Sequence, residues 1–200
     1  MKPRARRVVA ALLLTAGLCG CASTSTPARF HTLVPPLVSA APATRPAPAL
    51  RVEVLPVTLP VQVDVAPIVV RLPDDSMRAL EHERWIAPLA DEIRAALALR
   101  IDAALAAAPA MPIAAAPWRV ALDVQRFDST LGGAASVQAV WTLQQAGSGV
   151  MLRCQLNDRA PVAAGPVALV AGHRLIVERL GDAIGRAVRA AAGGAAPTCA

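Results

Sequence analysis

The sequence is poor in the residues that metal and catalytic sites require, and the few present lack the required spacing. Its three histidines, His31, His82 and His173, follow neither the i, i+4 pattern nor the cysteine-pair pattern of a zinc site. Gly147-Ser148-Gly149 lacks the full nucleophile elbow, no glycine loop matches a phosphate cradle, and Glu81-His82-Glu83 indicates a solvated turn. The sequence therefore predicts no catalytic residue, metal ligand or cofactor; an enzyme would need a site dispersed through the fold.

Long apolar runs are absent after the first twenty residues, and the excess positive charge is concentrated before that point. No later run reaches about twenty residues without proline, glycine or charge, so no transmembrane helix is predicted there. Residues 1–20 carry four of the twenty basic residues and no acidic one, which lowers the net charge from +6 for the whole sequence to +2 for the rest. This small charge gives no support to nucleic-acid binding.

The N-terminal segment has the pattern of a bacterial lipoprotein leader. Four basic residues precede the uncharged run Val8 to Leu18, which is too short to span a bilayer but suits a signal-peptide core. Leu18-Cys19-Gly20-Cys21 then resembles a lipobox, which predicts Cys21 as the lipidated N-terminus of the mature chain; Cys19 is a poorer candidate. The alternative is an ordinary secretory leader that is cut nearby and releases a soluble periplasmic protein.

The boundaries of the mature chain follow from this cut. Residues 1–20 are the signal peptide, and the remaining 180 residues suffice for one domain with a substantial core. Residues 21–29 form a lipidated tether, of which residues 22–29 reach only about 26–29 Å when fully extended, so the domain lies close to its membrane. Residues 30–192 form the α+β domain, and residues 193–200 form a C-terminal tail.

Alternating apolar residues predict five to six strands. The first half contains short strands at Phe30 to Val34 and Arg51 to Leu55 and a central strand at Ile68 to Leu72. The second half contains a strand from Trp118, a returning strand from Val137 and a third at Val150 to Asn157. Turn residues between the last three predict an antiparallel meander.

Two segments have helical periodicity, Trp85 to Ala107 and about Gly172 to Ala192. Pro88 fits only the first turn of the earlier helix, which is therefore predicted to begin at Trp85–Ala87. Gly181 and Gly185 lie within the later helix, where close approach to a sheet explains them better than a membrane dimerisation motif. The order of elements predicts an α+β fold, a single domain with a largely antiparallel sheet covered on one face by two amphipathic helices.

Cys154 and Cys199 are the thiols that remain once Cys19 is removed and Cys21 is acylated. Because the periplasm oxidises cysteine pairs, we predict a disulfide between them. Cys154 shares a strand face with Leu152 and Leu156, and the tail after the last helix can return Cys199 to it. The alternative is two unpaired thiols, one buried and one in a frayed tail.

Three loops carry more apolar residues than one core requires: Val57 to Ala66, Ala110 to Ala116 and Pro161 to Ala171. They contain Leu59, Val61, Val63, Met111, Ile113, Val162, Val167 and Leu169. Exposed together, such residues form a patch of the kind that marks protein interfaces. The alternative is that the loops fold down over the uncovered face of the sheet. We expect the domain to bind a periplasmic partner by surface contact and to perform no chemistry.

Several separated motifs resemble the ABC-type transport auxiliary lipoproteins, a family typified by PqiC. The most specific is the Arg-Trp-x-x-Pro-Leu part of Glu83 to Leu89, and the others are Phe30-His31-Thr32-Leu33, Pro56 to Pro60, Pro67 to Arg71, Arg119 to Asp128 and Trp141-Thr142-Leu143. The chain departs from the family in lacking tyrosine, with Phe30 and Val61 where tyrosine is common. It also lacks the usual Leu-Asp-Arg-Pro before the central strand.

The resemblance implies an outer-membrane lipoprotein without catalytic activity. It would dock a periplasmic MCE-domain protein, which acts with an inner-membrane permease and ATPase in lipid transport, and neighbouring copies could form a ring. Ala22 and Ser23 follow the cysteine where Asp would mark inner-membrane retention in enteric-type bacteria, which favours the outer membrane. The alternatives are a lipoprotein regulator of cell-wall synthesis or another envelope scaffold and, less favoured, a hydrolase.

Overall fold

The computed structural model describes residues 26–36, 50–106, 117–147 and 151–199. In that part of the chain seven strands and two helices follow one another: β1 (Arg29–His31), β2 (Val52–Val54), β3 (Pro67–Arg71), β4 (Met77–Trp85), α1 (Leu89–Ala106), β5 (Trp118–Thr130), β6 (Ala134–Gln145), β7 (Met151–Pro161) and α2 (Pro166–Ala192). The α+β fold class predicted from the sequence is confirmed.

The strands form two mixed sheets rather than one. β5, β6 and β7 form the predicted antiparallel meander, and β2 joins its edge by pairing in parallel with β5. The other sheet has the order β1-β4-β3, with β1 parallel and β3 antiparallel to β4. The strand around Ile68, predicted as central, is therefore an edge strand, although Ile68 and Val70 are buried because they face the core.

The main core lies between the helices and the sheets. Alternation along β5 turns Trp118, Val120, Leu122 and Val124 inward, as the sequence pattern predicts. The helices contribute buried stripes whose members are four or seven residues apart, consisting of Leu89, Ile93, Leu97, Ile101 and Leu105 from α1 and Leu169, Ile176, Leu180, Ile184 and Val188 from α2. Burial of these stripes determines which face of each helix packs against the core.

Both helices begin elsewhere than predicted. Trp85 ends β4 instead of opening α1, because its N–H donates to the Ala66 carbonyl and its ring is buried. The carbonyl of Pro88 accepts the first helical bond, from the N–H of Glu92, so α1 begins at Leu89. α2 begins at Pro166, six residues before the predicted start, because proline is favoured in the first turn, where no N–H is required.

Strand β4 replaces the turn predicted at Glu81 to Glu83. Glu81 and His82 are exposed, but Glu83 is half-buried and pairs with Arg29 of β1. The pairing of β3 with β4 shifts register between Pro67 and Ile68, which places extra residues of β4 in this segment. A polar segment with a register shift lacks the regular alternation by which strands are predicted.

Gly181 and Gly185 face the other helix, not a sheet as predicted. A Cβ at Gly181 would lie 2.6 Å from Cγ of Arg100, and one at Gly185 would lie 2.8 Å from Cβ of Ala104. Both neighbours belong to α1. The two glycines therefore allow α1 and α2 to approach each other closely.

Candidate anchoring and docking site

The segment that follows β1 is held by a buried carboxylate. Glu92, in the first turn of α1, is 5% exposed and accepts hydrogen bonds from the Thr32 hydroxyl at 2.6 Å and the Leu33 N–H at 2.8 Å. Leu33 itself is fully buried in the core. Burying a carboxylate costs free energy unless it is hydrogen-bonded, and these two donors supply the hydrogen bonds that offset this cost for Glu92.

The opposite side of the same segment is held by α2. Arg174 donates to the Thr32 carbonyl at 2.8 Å and to the Leu33 carbonyl at 3.3 Å. We call Glu92, Arg174, Thr32 and Leu33 the N-terminal clamp. Because its groups come from both helices, the clamp fixes the start of the domain to the whole helical layer.

A second contact fastens β1 itself. His31 Nε2 lies 2.6 Å from the carboxylate of Glu83, and the Arg29 guanidinium lies 3.7 Å from the same carboxylate. Parallel pairing of β1 with β4 aligns Arg29 with Glu83 and His31 with Trp85. The chain that emerges from the predicted tether is thus fastened at two successive points.

Ser129 and His173 form the buried pair most similar to a nucleophile and its base. The Ser129 hydroxyl lies 2.8 Å from Nε2 of His173, whose ring stacks on Phe127 with a centroid distance of 3.9 Å. Both residues are buried, and Nδ1 of His173 has no partner. Burial lowers the pKa of His173 to about 3, against a smaller opposing effect of Asp128. A substrate cannot reach this pair, and the imidazole is a weak base, so its role is structural.

Asp128, next to this pair in the chain, joins two arginines from different strands. It accepts hydrogen bonds from Arg71 of β3 at 2.7 Å and from Arg126 of β5 at 2.8 Å. Burial acts to raise the pKa of Asp128, but the two guanidinium groups outweigh it and hold that pKa below its ordinary value. The cluster links the two sheets and leaves no free carboxylate for acid–base chemistry.

Some apolar residues of the three loops are exposed, as an interface patch requires, and others are buried, as expected for loops that fold over the sheet. Val61 is 85% exposed and Val167 is 71% exposed, although Val167 lies in the first turn of α2 rather than in a loop. Val63 and Leu169 are buried, and Leu59 and Val162 pack against the core. Met111 and Ile113 lie outside the described residues. Val61 and Val167, with Val65 at 41% exposure, remain as candidate partner contacts among the described residues of these loops.

The two helices enclose a narrow apolar cleft. Its lining includes the apolar Leu33, Leu99 and Val177 and the basic Arg100 and Arg174, and its volume is about 170 Å³. Pockets that bind small molecules usually measure about 300–1,000 Å³. This cleft can accept a single side chain, but it is too small to enclose a phospholipid.

Of the remaining predicted sites, the structure contains the disulfide but does not describe the lipidation site. The structure joins Cys154 and Cys199 in a disulfide, with a Cα–Cα distance of 5.4 Å. Cys21 and the signal peptide lie outside the described residues. Over the described ranges, no group of three or more histidine, cysteine or acidic residues could hold a metal ion. No helix within those ranges is long and apolar enough to cross a membrane.

Sequence reasoning missed the polar residues that hold the fold. Glu92 falls between Leu89 and Ile93 on the apolar stripe of α1, and His173 falls between Leu169 and Ile176 on that of α2. A polar residue on an apolar stripe indicates a buried partner, and this signal could have identified both. Arg174 lies beside the stripe and gives no comparable signal.

Comparisons with known proteins agree with this architecture. Residues 31–185 match the model of the family described as "ABC-type transport auxiliary lipoprotein component". A crystal structure of an uncharacterised protein has a TM-score of 0.64 at 15% identity, covering 80% of this chain and 98% of its own. A DUF330 protein from Xanthomonas campestris has a TM-score of 0.59 at 18% identity, covering 79% of this chain and 93% of its own. These structures show the fold alone, and no curated protein matches the sequence.

Proposed function

This chain belongs to the ABC-type transport auxiliary lipoproteins, and from that premise we propose that it docks a periplasmic MCE-domain protein to the outer membrane without catalysing a reaction. The observation that carries the proposal is the family match over residues 31–185, which run from the last residue of β1 to Gly185 in the second half of α2. The family name implies association with an ABC-type transporter. The MCE-domain partner and the outer-membrane location go beyond the family name and are our proposal.

The N-terminal clamp supports an anchoring role. A lipid on Cys21 would be connected to the domain by a short tether, and the clamp begins at Thr32, soon after that tether ends. Glu92 and Arg174 hold this segment from two helices. A load on the lipid anchor is therefore passed first to β1 and then, through the clamp, to the helical layer.

The accessible surface supports docking rather than chemistry or lipid carriage. The Ser129–His173 pair is buried, and the apolar cleft between the helices is smaller than a phospholipid site. Val61 and Val167 present apolar side chains to solvent. Contact through such a surface is the function that these features favour.

The lipid anchor is tested by replacing Cys21. Cys21→Ala is expected to abolish labelling by a palmitate analogue, while Cys19→Ala, the matched control, keeps it. Labelling that survives in Cys21→Ala would assign the lipid to another residue. Fractionation of the wild-type protein is expected to place it in the outer membrane, and recovery mainly in the inner membrane would contradict that location.

The partner is tested by crosslinking in cells. A photo-crosslinking residue at Val61 or Val167 is expected to trap an MCE-domain protein or neighbouring copies of this lipoprotein, whereas one at the buried Leu169 should trap neither. Crosslinks only to a cell-wall synthase would favour the regulator of cell-wall synthesis. Hydrolysis of lipid or glycan by the purified protein would favour the hydrolase.

A further inference from the structure

The distribution of aromatic residues singles out Phe30. The chain has five aromatic side chains, and four of them are buried: Trp85, Trp118, Phe127 and Trp141. Phe30 is 60% exposed and follows Cys21 by nine positions. The one exposed aromatic residue is thus the one nearest to the predicted lipid.

Strand pairing places a second exposed apolar residue beside it. Phe30 is aligned with Arg84, and His31 is aligned with Trp85, whose ring is buried. Since side chains alternate between the faces of a strand, Phe30 and Arg84 point away from the core. Ile86 is also 60% exposed, and its N–H donates to the His31 carbonyl at 2.9 Å. Ile86 therefore continues the outer line of Arg84 and lies diagonally beside Phe30.

The combination of side chains suits the interface of a phospholipid bilayer. Two exposed apolar side chains flank the half-buried Arg84, whose guanidinium Nε donates to the Glu81 carbonyl at 3.0 Å. Apolar groups that enter the headgroup region and guanidinium groups that reach phosphate are the usual elements of interfacial binding.

We propose that Phe30 and Ile86, with Arg84 between them, form a membrane-contact patch that enters the surface of the bilayer holding the lipid anchor. This inference rests on the proposed lipidation of Cys21. The eight residues from Ala22 to Arg29 reach about 26–29 Å at most, so the patch cannot move farther than that from the bilayer. Contact at this patch fixes the orientation of the domain relative to the membrane.

The depth of the patch is measurable with brominated lipids, which quench tryptophan fluorescence at close range. Phe30→Trp is introduced into the full lipidated protein, which is reconstituted into vesicles of brominated phosphatidylethanolamine and phosphatidylglycerol. The matched control is Val167→Trp, at an exposed position of α2 outside the sheet that carries Phe30. We expect quenching of the new tryptophan at position 30 to exceed that of the control at least about twofold, because interfacial side chains enter the acyl boundary.

The outcomes separate this inference from the proposed function. A wild-type protein that fails to remain on the vesicles would refute the lipid anchor. A protein that remains on them with equal quenching at both positions would refute the patch alone. Shielding of Trp at position 30 from both brominated lipid and aqueous iodide would show that a protein partner or a second copy covers the patch.

A second measurement uses a chain that lacks the lipid anchor. The mature chain with Cys21→Ala is expected to bind the same vesicles weakly, and adding Phe30→Ser and Ile86→Ser should reduce that binding roughly tenfold, since two half-exposed apolar side chains are lost. Val65→Ser with Leu175→Ser, at two other exposed apolar positions, is the control and should change binding less than about twofold. Circular dichroism verifies that each variant is folded. Equal binding by both double variants would overturn the patch.

Discussion

The two ends of the domain are fastened by different means. The N-terminal segment is held by hydrogen bonds that it donates to Glu92 and accepts from Arg174, which are reversible and depend on neighbouring helices. The C-terminal tail is held by the Cys154–Cys199 bond, which spans 45 residues and is covalent. A covalent tie suits a tail with few contacts of its own. A network shared by two helices instead makes the fastening of the anchor depend on the integrity of the core.

Breaking the covalent tie is expected to cost the most. Cys154→Ser should lower the free energy of unfolding by about 3–4 kcal/mol, because it frees a loop of about 45 residues in the unfolded chain. Chemical denaturation of the oxidised wild type and the variant measures this loss. Cys199→Ser, which leaves the buried thiol in place, is the matched variant and should lose a similar amount.

The same bond is tested directly by alkylation. Neither cysteine should take up an alkylating reagent before reduction, and both should do so after reduction and unfolding, as read from the mass shift. Complete labelling of both thiols in the unreduced protein would show that the disulfide does not form.

Breaking the N-terminal clamp is expected to cost nearly as much. Glu92→Ala leaves the buried Leu33 N–H without a partner, so the free energy of unfolding should fall by about 2–3 kcal/mol. Glu53→Ala removes an exposed carboxylate paired with Arg119 and should cost at most about 0.5 kcal/mol. Chemical denaturation compares the two. A loss at Glu92 no larger than that at Glu53 would show that the clamp adds nothing to stability.

Acid is expected to lower the stability of the fold through His173, which precedes Arg174 in α2. His173 has a pKa of about 3 in the folded chain, because burial disfavours the charged ring, against an ordinary value near 6.5. The unfolded chain therefore takes up a proton below about pH 6.5 while the folded chain does not, and stability falls by about 1.4 kcal/mol per pH unit toward pH 3. Denaturation midpoints between pH 7 and 4.5 measure this slope.

The exposed His82 supplies the control for this slope. His173→Gln should lose most of the contribution, whereas His82→Gln should retain it, since His82 is exposed and makes no contact with the buried His173 ring. An unchanged slope in His173→Gln would assign the acid sensitivity to the carboxylates.

The smallest change tests one bond of the clamp. Thr32→Val keeps the shape of the side chain but removes the hydroxyl that donates to Glu92 at 2.6 Å. The Leu33 N–H still satisfies the carboxylate, so the loss should be about 1 kcal/mol in thermal or chemical unfolding. A loss as large as that of Glu92→Ala would mean that the hydroxyl alone holds the segment.

Sequence periodicity predicted the elements whose patterns are regular. The alternation from Trp118 predicted the meander, and the stripe around Ile93 and Leu97 predicted α1. β4 was missed because its polar residues and register shift obscure alternation. The clamp was missed because the position of Glu92 on the apolar stripe indicates a buried partner but not which one, and Leu33 lies 59 residues away.

The contacts of the N-terminal segment join residues that are far apart in the sequence, which bears on the order of folding. His31 of β1 meets Glu83 across 52 residues, Thr32 meets Glu92 across 60, and the Thr32 carbonyl meets Arg174 across 142. Closing a longer loop costs more entropy, and Arg174 is available only once the last helix has packed. The contact with Arg174 is therefore expected to form last, although its partner Thr32 lies in the first segment of the domain. A chain in which α2 has not packed keeps the Arg174 half of the clamp open, so a complete clamp is a sign that folding is complete.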